Sequence, residues 1–108
     1  MKMQTHDRDG TVVVALAGEI DLQHSPGVRR QLMELMFERR DVLVDLAHVA
    51  YIDSSGIASL VEAYQMARKN ATRFVLVAVS QPVLRVLQLA RLDKVFTLAD
   101  TVDAALAG

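Results

Sequence analysis

Asp53-Ser54-Ser55-Gly56 is the stretch of this chain whose residue types and spacing could carry chemistry. An acid, two small hydroxyls and a glycine stand between an apolar run ending at Ile52 and an amphipathic run beginning at Ile57. At a strand-to-helix turn this order sets a serine beside the unpaired N–H groups of a helix's first turn. Those groups, with the positive end of the helix dipole, favour added negative charge. A phosphate on Ser54 or Ser55 would therefore be tolerated by the folded chain. The plainer alternative is an Asp/Ser N-cap followed by a glycine for tight packing, since Ser and Asp are the usual caps.

Other residues offer less. Glu19 and Asp21, at the end of an earlier apolar run, could lie beside the 53–56 turn and share a surface with it; alternatively they form a solvated loop with Asp21 as a cap. His24 and His48 are the candidates for a serine–histidine nucleophile, or for a metal site with Asp45 and Asp53. No Gly-x-Ser-x-Gly elbow is present, and the His/Asp spacing matches no recognised ligand pattern. The five glycines are scattered, and none belongs to a G-x-x-x-x-G-K phosphate loop. Zero cysteines exclude disulfides, thiolate metal sites and a cysteine nucleophile. No catalytic group, metal or cofactor is expected.

The elements that must position the 53–56 turn follow from periodicity. Val12 to Ala17 is a β-rich apolar run behind the turn signal Asp9-Gly10, and Met1 to His6 could pair back across that turn. Ser25 is expected to cap a helix with Pro26 at its first position, and Val28, Leu32, Leu35 and Met36 recur at helical spacing until Arg39-Arg40. Val42 to Leu46 is the next strand, and the chain stays apolar to Ile52. Ile57, Leu60, Val61, Tyr64 and Ala67 form the stripe of a second helix, with Asn70 suited to its stop. Phe74 to Val79 predicts a third apolar strand. Ser80-Gln81-Pro82 opens a third helix carrying Val83, Val86, Leu87 and Ala90. A short strand around Val95-Phe96-Thr97 and a final helix from Asp100 to Ala107 complete the chain. Leu84, Leu89 and Leu92 widen the third helix's apolar face beyond one stripe, as extra core or as a patch for a partner.

Strands that are apolar throughout, alternating with helices, predict an α/β fold with the sheet covered by helices. Loops of about two to six residues leave no room for a second domain, so residues 1–108 read as one. Apolar residues make up 52% against 23% charged, enough for a folded core. Twelve basic against thirteen acidic residues give no electrostatic case for binding nucleic acid or an anionic membrane. The arginine pairs Arg29-Arg30 and Arg39-Arg40 are most simply helix-surface charges. The first residues contain no apolar stretch to act as a signal-peptide core, and no apolar run is long enough to span a bilayer as a helix. A cytoplasmic protein is expected.

Val44-Asp45-Leu46 … Tyr51-Ile52-Asp53-Ser54-Ser55-Gly56-Ile57, followed by an amphipathic helix, resembles the signature of the STAS family, and within it the bacterial anti-sigma factor antagonists. Leu16-Ala17-Gly18-Glu19-Ile20-Asp21 resembles that family's Gly-Glu-Leu-Asp segment. Val75-Leu76-Val77, Pro82-Val83-Leu84-Arg85-Val86-Leu87 and Leu92-Asp93-Lys94-Val95-Phe96 resemble its later segments in order and spacing. The match covers nearly the whole chain. It implies a mixed, mostly parallel sheet of four to five strands with about four helices.

The resemblance also implies a switch. The serine directly after the Asp, here Ser54, is phosphorylated by an anti-sigma factor that is also a serine kinase. The unmodified antagonist binds that anti-sigma factor and frees the sigma factor; the phosphorylated form lets go, and a metal-dependent serine/threonine phosphatase restores binding. Glu19, Asp21, Asp53, Ser54, Ser55 and Gly56 are then the expected switch surface. The alternative is a STAS adaptor subunit of a lipid-transport ABC complex, docking on its ATPase; the paired serines favour the antagonist. One departure stands out. Antagonists commonly carry Gly before the Leu that corresponds to Leu92, and here Arg91 stands there, where a left-handed helix stop would be strained.

Overall fold

A computed structural model describes residues 1–108. The chain runs through β1 (Lys2–Arg8), β2 (Thr11–Ile20), α1 (Ser25–Phe37), β3 (Asp41–Ile52), α2 (Ser54–Asn70), β4 (Phe74–Val77), α3 (Gln81–Leu89), β5 (Thr97–Ala99) and α4 (Val102–Ala107). The five strands form one sheet in the order β1-β2-β3-β4-β5. β1 runs antiparallel to β2 across the Asp9-Gly10 turn, and every other pair is parallel. The expected α/β architecture is what the chain adopts, with five strands, the upper of the four to five expected, and four helices.

The apolar strands are explained by burial on both faces. Val12, Val14, Leu16, Val42, Val44, Leu46 and Leu76 join α1, α2 and α3 in the larger core. Val13, Leu43, Val75 and Val77 point the other way, where Ala105 of α4 meets them. Three helices thus cover one face and a single short helix part of the other.

Two irregularities in β3 decide where the strand ends. From Ala15 to Glu19 β2 advances four residues, while the paired stretch of β3 advances six, from Asp45 to Tyr51. The two extra residues are bulges, and the Asp45 carboxylate accepts the Ala47 N–H at 3.0 Å beside the first. They change the inward period from two to three, so that Leu46, Val49 and Ile52 all reach the core. What the sequence divides into a strand and an apolar tail is therefore one twelve-residue strand. β4 stops earlier, and beyond it the Ser80 hydroxyl donates to the Val49 carbonyl at 2.6 Å while α3 packs along the upper half of β3.

Several boundaries differ from expectation, each for a local reason. His24, not Ser25, is the N-cap of α1, because Asp21 already closes the preceding turn; Pro26 is then the second helical residue. Ala71, not Asn70, takes the left-handed stop of α2 (φ 59°), while the Asn70 amide donates to the Met36 carbonyl at 2.8 Å. The third apolar strand ends at Val77, since Ala78 turns to φ 51°. Val95 and Phe96 precede β5 rather than belong to it: Phe96 is buried edge-on against Tyr64 with ring centroids 5.4 Å apart. Thr101, not Asp100, caps α4, its hydroxyl accepting the Ala104 N–H at 3.0 Å. Arg91 does adopt the strained left-handed stop, at φ 59°. The bonds Arg91 N–H to Gln88 C=O and Leu92 N–H to Leu87 C=O close a Schellman motif around it.

Candidate functional site

Ile20 and Ile52 are register partners at the carboxyl ends of β2 and β3, and a helix entrance follows each within a few residues. In parallel sheets this edge is where ligands and chemistry gather. α2 enters closely. A Cβ added to Gly56 would lie 2.7 Å from Ile52 Cγ1, 2.8 Å from Ile20 Cγ2 and 3.0 Å from the Ile20 carbonyl oxygen. Only glycine lets the first turn of α2 sit on the two strand ends.

Asp53 is the N-cap. Its Oδ1 accepts the N–H groups of Ser55 (3.0 Å) and Gly56 (3.1 Å) and the Ser55 hydroxyl (2.6 Å), and its own N–H donates to the Ile20 carbonyl at 3.2 Å. The Ser55 hydroxyl is the main reason its carboxyl titrates below the ordinary range, with the Gly56, Ser55 and Leu22 N–H groups adding to it against a smaller penalty from desolvation. Two of the first-turn donors that the sequence leaves open to a phosphate, the Ser55 and Gly56 N–H groups, are thus already held by Asp53. A phosphate on Ser54 would stand next to an ionised carboxylate, outside that cradle.

The two serines differ. Ser54 is exposed and lies outside the Asp53 network, whereas Ser55 is half-buried with its hydroxyl committed to Asp53. Ser59, buried one turn on, donates to the Ser55 carbonyl at 3.1 Å and approaches the Ser25 carbonyl at 3.5 Å, tying α2 to α1. The Arg29 guanidinium clamps the same two helices, donating to both Glu62 oxygens at 2.6 and 2.8 Å.

Beside Ser54 runs a groove of about 450 Å³ between α2 and α3. Ile52, Ile57, Ala58, Val61, Val86 and Ala90 supply its apolar wall, and Asp53 and Ser54 lie at its end. Two large side chains stand out on the surrounding elements: Leu22 is 75% exposed in the β2–α1 turn and Leu89 is 83% exposed at the end of α3. Ile57, Val61 and Val86, expected on the apolar stripes of their helices, are partly buried: they pack against the core and also line the groove. The apolar excess on α3 carried the signal, and Leu89 is the residue that faces solvent, whereas Leu92 packs on the core.

The remaining sequence-selected residues divide clearly. Asp21 joins the same edge: its carboxylate accepts the N–H groups of Gln23 and His24 at 3.1 Å and meets His24 Nδ1 at 2.7 Å. Desolvation pushes this carboxyl up, but the His24 backbone and ring and the Gln23 N–H outweigh it, and its pKa lies below the ordinary value. Glu19 is exposed on β2 opposite half-exposed Tyr51. His48 is exposed on β3, and Asp45 is engaged with its bulge, so neither joins the turn. Arg40 pairs with Asp7, and Arg30 and Arg39 are exposed. No helix is long and apolar enough to cross a membrane.

Comparison with known proteins agrees with the architecture. The STAS domain family model matches residues 2–105. The anti-sigma-F factor antagonist RsfB of Mycobacterium tuberculosis is 30% identical over 103 residues, covering 94% of this chain and 84% of the relative. The crystal structure of an anti-sigma factor antagonist from Mycobacterium paratuberculosis superposes with a TM-score of 0.89 at 31% identity, covering 98% of this chain and 91% of that one. The Bacillus cell fate determinant SpoIIAA in its phosphorylated form shares the fold, with a TM-score of 0.78 at 21% identity over 98% and 97% of the two chains.

Proposed function

This chain belongs to the STAS domain family, and from that premise we propose that it is an anti-sigma factor antagonist switched by phosphorylation of Ser54. It is a regulator rather than an enzyme: it binds an anti-sigma factor when unmodified and releases it when phosphorylated. The anti-sigma factor is also the serine kinase, a metal-dependent serine/threonine phosphatase reverses the mark, and the exchange takes place in the cytoplasm. The observation that carries this reading is the contrast within one turn. Ser54 is exposed and free of the Asp53 network, at the end of an apolar groove, while its neighbour is locked.

The geometry supports a switch that needs no change of fold. With Ser54 unmodified, the groove and the exposed Leu22 and Leu89 offer a partner apolar surface around a small polar centre. Phosphate adds about 1.5 to 2 negative charges at pH 7. Asp53 already carries one and already holds the Ser55 and Gly56 N–H groups, so those two donors are not free to neutralise the new charge. Arg29, the cation on the neighbouring face, is bound by Glu62. A partner closing over the turn would have to bury a dianion beside the Asp53 carboxylate, which is costly enough to dissociate it.

Incubation with the cognate kinase and a nucleoside triphosphate should place one phosphate on Ser54, located by mass spectrometry of the intact chain and its peptides. Ser54→Ala should hold the anti-sigma factor constitutively and Ser54→Glu should hold it poorly. Equal binding by the two variants contradicts the reading.

A further inference from the structure

We propose that Ser55 is a positioning residue and not a second phosphoacceptor: its hydroxyl holds Asp53 on the end of α2, and this leaves Ser54 as the one hydroxyl of the turn open to transfer. The inference rests on the functional reading above, and concerns how a turn with two adjacent serines directs a kinase to one of them.

Three observations carry it. The Ser55 hydroxyl lies 2.6 Å from Asp53 Oδ1, the shortest contact of the cap, and so is committed as a donor. Ser55 is half-buried and its carbonyl accepts the Ser59 hydroxyl at 3.1 Å, so both ends of the residue are tied to the fold. Ser54 is exposed and takes no part in either contact.

The chemistry of transfer separates the two hydroxyls. The serine oxygen forms a bond to the γ-phosphorus as the bond to the β–γ bridging oxygen of a nucleoside triphosphate breaks. The nucleoside diphosphate leaves, and the hydroxyl proton passes to a base of the kinase. At Ser54 these changes disturb nothing in the cap. At Ser55 the incoming base must compete with Asp53 for the proton, and the product would hold a phosphate against a carboxylate at hydrogen-bond range. Asp53 is itself a poor base, because its carboxyl is held below the ordinary range and protonating it would weaken its hold on the Ser55 and Gly56 N–H groups.

Ser55→Ala tests the role without threatening the fold, since Asp53 keeps both backbone donors. Two measurements decide. The first follows the Asp53 carboxyl carbon by NMR against pH: its midpoint should rise in Ser55→Ala, return in Ser55→Thr, and stay unchanged in Ser54→Ala. A midpoint unchanged in Ser55→Ala, or moved equally by the two alanine variants, overturns the positioning role. The second supplies Ser54→Ala with the kinase and nucleoside triphosphate: Ser55 should take phosphate at least about a hundredfold more slowly than Ser54 in the unaltered chain. Transfer to Ser55 within about tenfold of that rate overturns the selectivity claim. If the unaltered chain takes no phosphate, the functional reading fails and the NMR titration alone judges Ser55.

Discussion

Two helices leave adjacent parallel strand ends with the same opening pattern, Ser25-Pro26-Gly27 in α1 and Ser54-Ser55-Gly56 in α2, and an aspartate closes the turn before each. In α1 the serine is buried, the glycine has open space around its Cβ position, and Asp21 holds the chain four residues upstream with an imidazole beside it. In α2 the serine is exposed, the glycine is wedged against Ile20 and Ile52, and Asp53 adjoins the helix directly. The same residues therefore give a structural entrance in one place and a modifiable one in the other. The difference comes from how closely each helix approaches the sheet. Asp53 caps α2 without an intervening loop, which turns the first serine outward and commits the second.

The glycines should break this comparison most sharply. Gly56→Ala drives a methyl into two β-branched side chains and a carbonyl and should cost about 1–3 kcal/mol, whereas Gly27→Ala fills open space within a helix and should add about 0.5–1 kcal/mol. Urea unfolding of both variants checks the opposite signs. Next in size are the caps. Asp53→Ala should lower the unfolding midpoint more than Asp21→Ala, because Asp53 secures the helix itself while Asp21 secures the turn before it.

Acid treats the two entrances alike. Asp53 and Asp21 both have pKa values below the unfolded-chain value of about 3.9, so the native state binds fewer protons than the unfolded state in that range. Their contribution is fully present well above that value and is lost as pH falls through the native pKa values. Unfolding midpoints should be flat near neutrality and decline below about pH 5, with a shallower decline in Asp53→Asn. The smallest expected effects lie at the helices' other ends. Ala71 and Arg91 sit at φ 59° where glycine is at ease, and Ala71→Gly or Arg91→Gly should each stabilise by about 0.5–1 kcal/mol in thermal melts.

Much of this was legible in the residues. The alternation of strands and helices follows from the apolar runs at Val42-Leu43-Val44 and Phe74–Val79. Burial of Val42 to Val44 and of Phe74 to Val77 on both faces of the sheet explains why they show no polar alternation. The β1 hairpin follows from Asp9-Gly10. The helix boundaries were less readable because the deciding groups act across several residues: Asp21 replaces Ser25 as the closing group, and Thr101 replaces Asp100. The β3 bulges left no mark beyond the apolar period changing from two to three after Leu46. The special turn at 53–56 was visible and the family resemblance singled out Ser54, but the residue types alone left Ser54 and Ser55 equivalent; exposure and the 2.6 Å contact to Asp53 tell them apart. The groove stayed hidden for a similar reason: Ile57, Val61 and Val86 lie on apolar stripes whether they face the core or a gap between two helices.

The central claim is that one phosphate on Ser54, beside an Asp53 already engaged, ejects the partner without refolding the domain. Titration calorimetry of the anti-sigma factor against the unmodified chain and the chain singly phosphorylated on Ser54 tests it most directly. The phosphorylated form should bind at least about a hundredfold more weakly, roughly 2.8 kcal/mol, with its thermal midpoint little changed. Equal affinity for the two forms, or weaker binding accompanied by loss of folded structure, would contradict it.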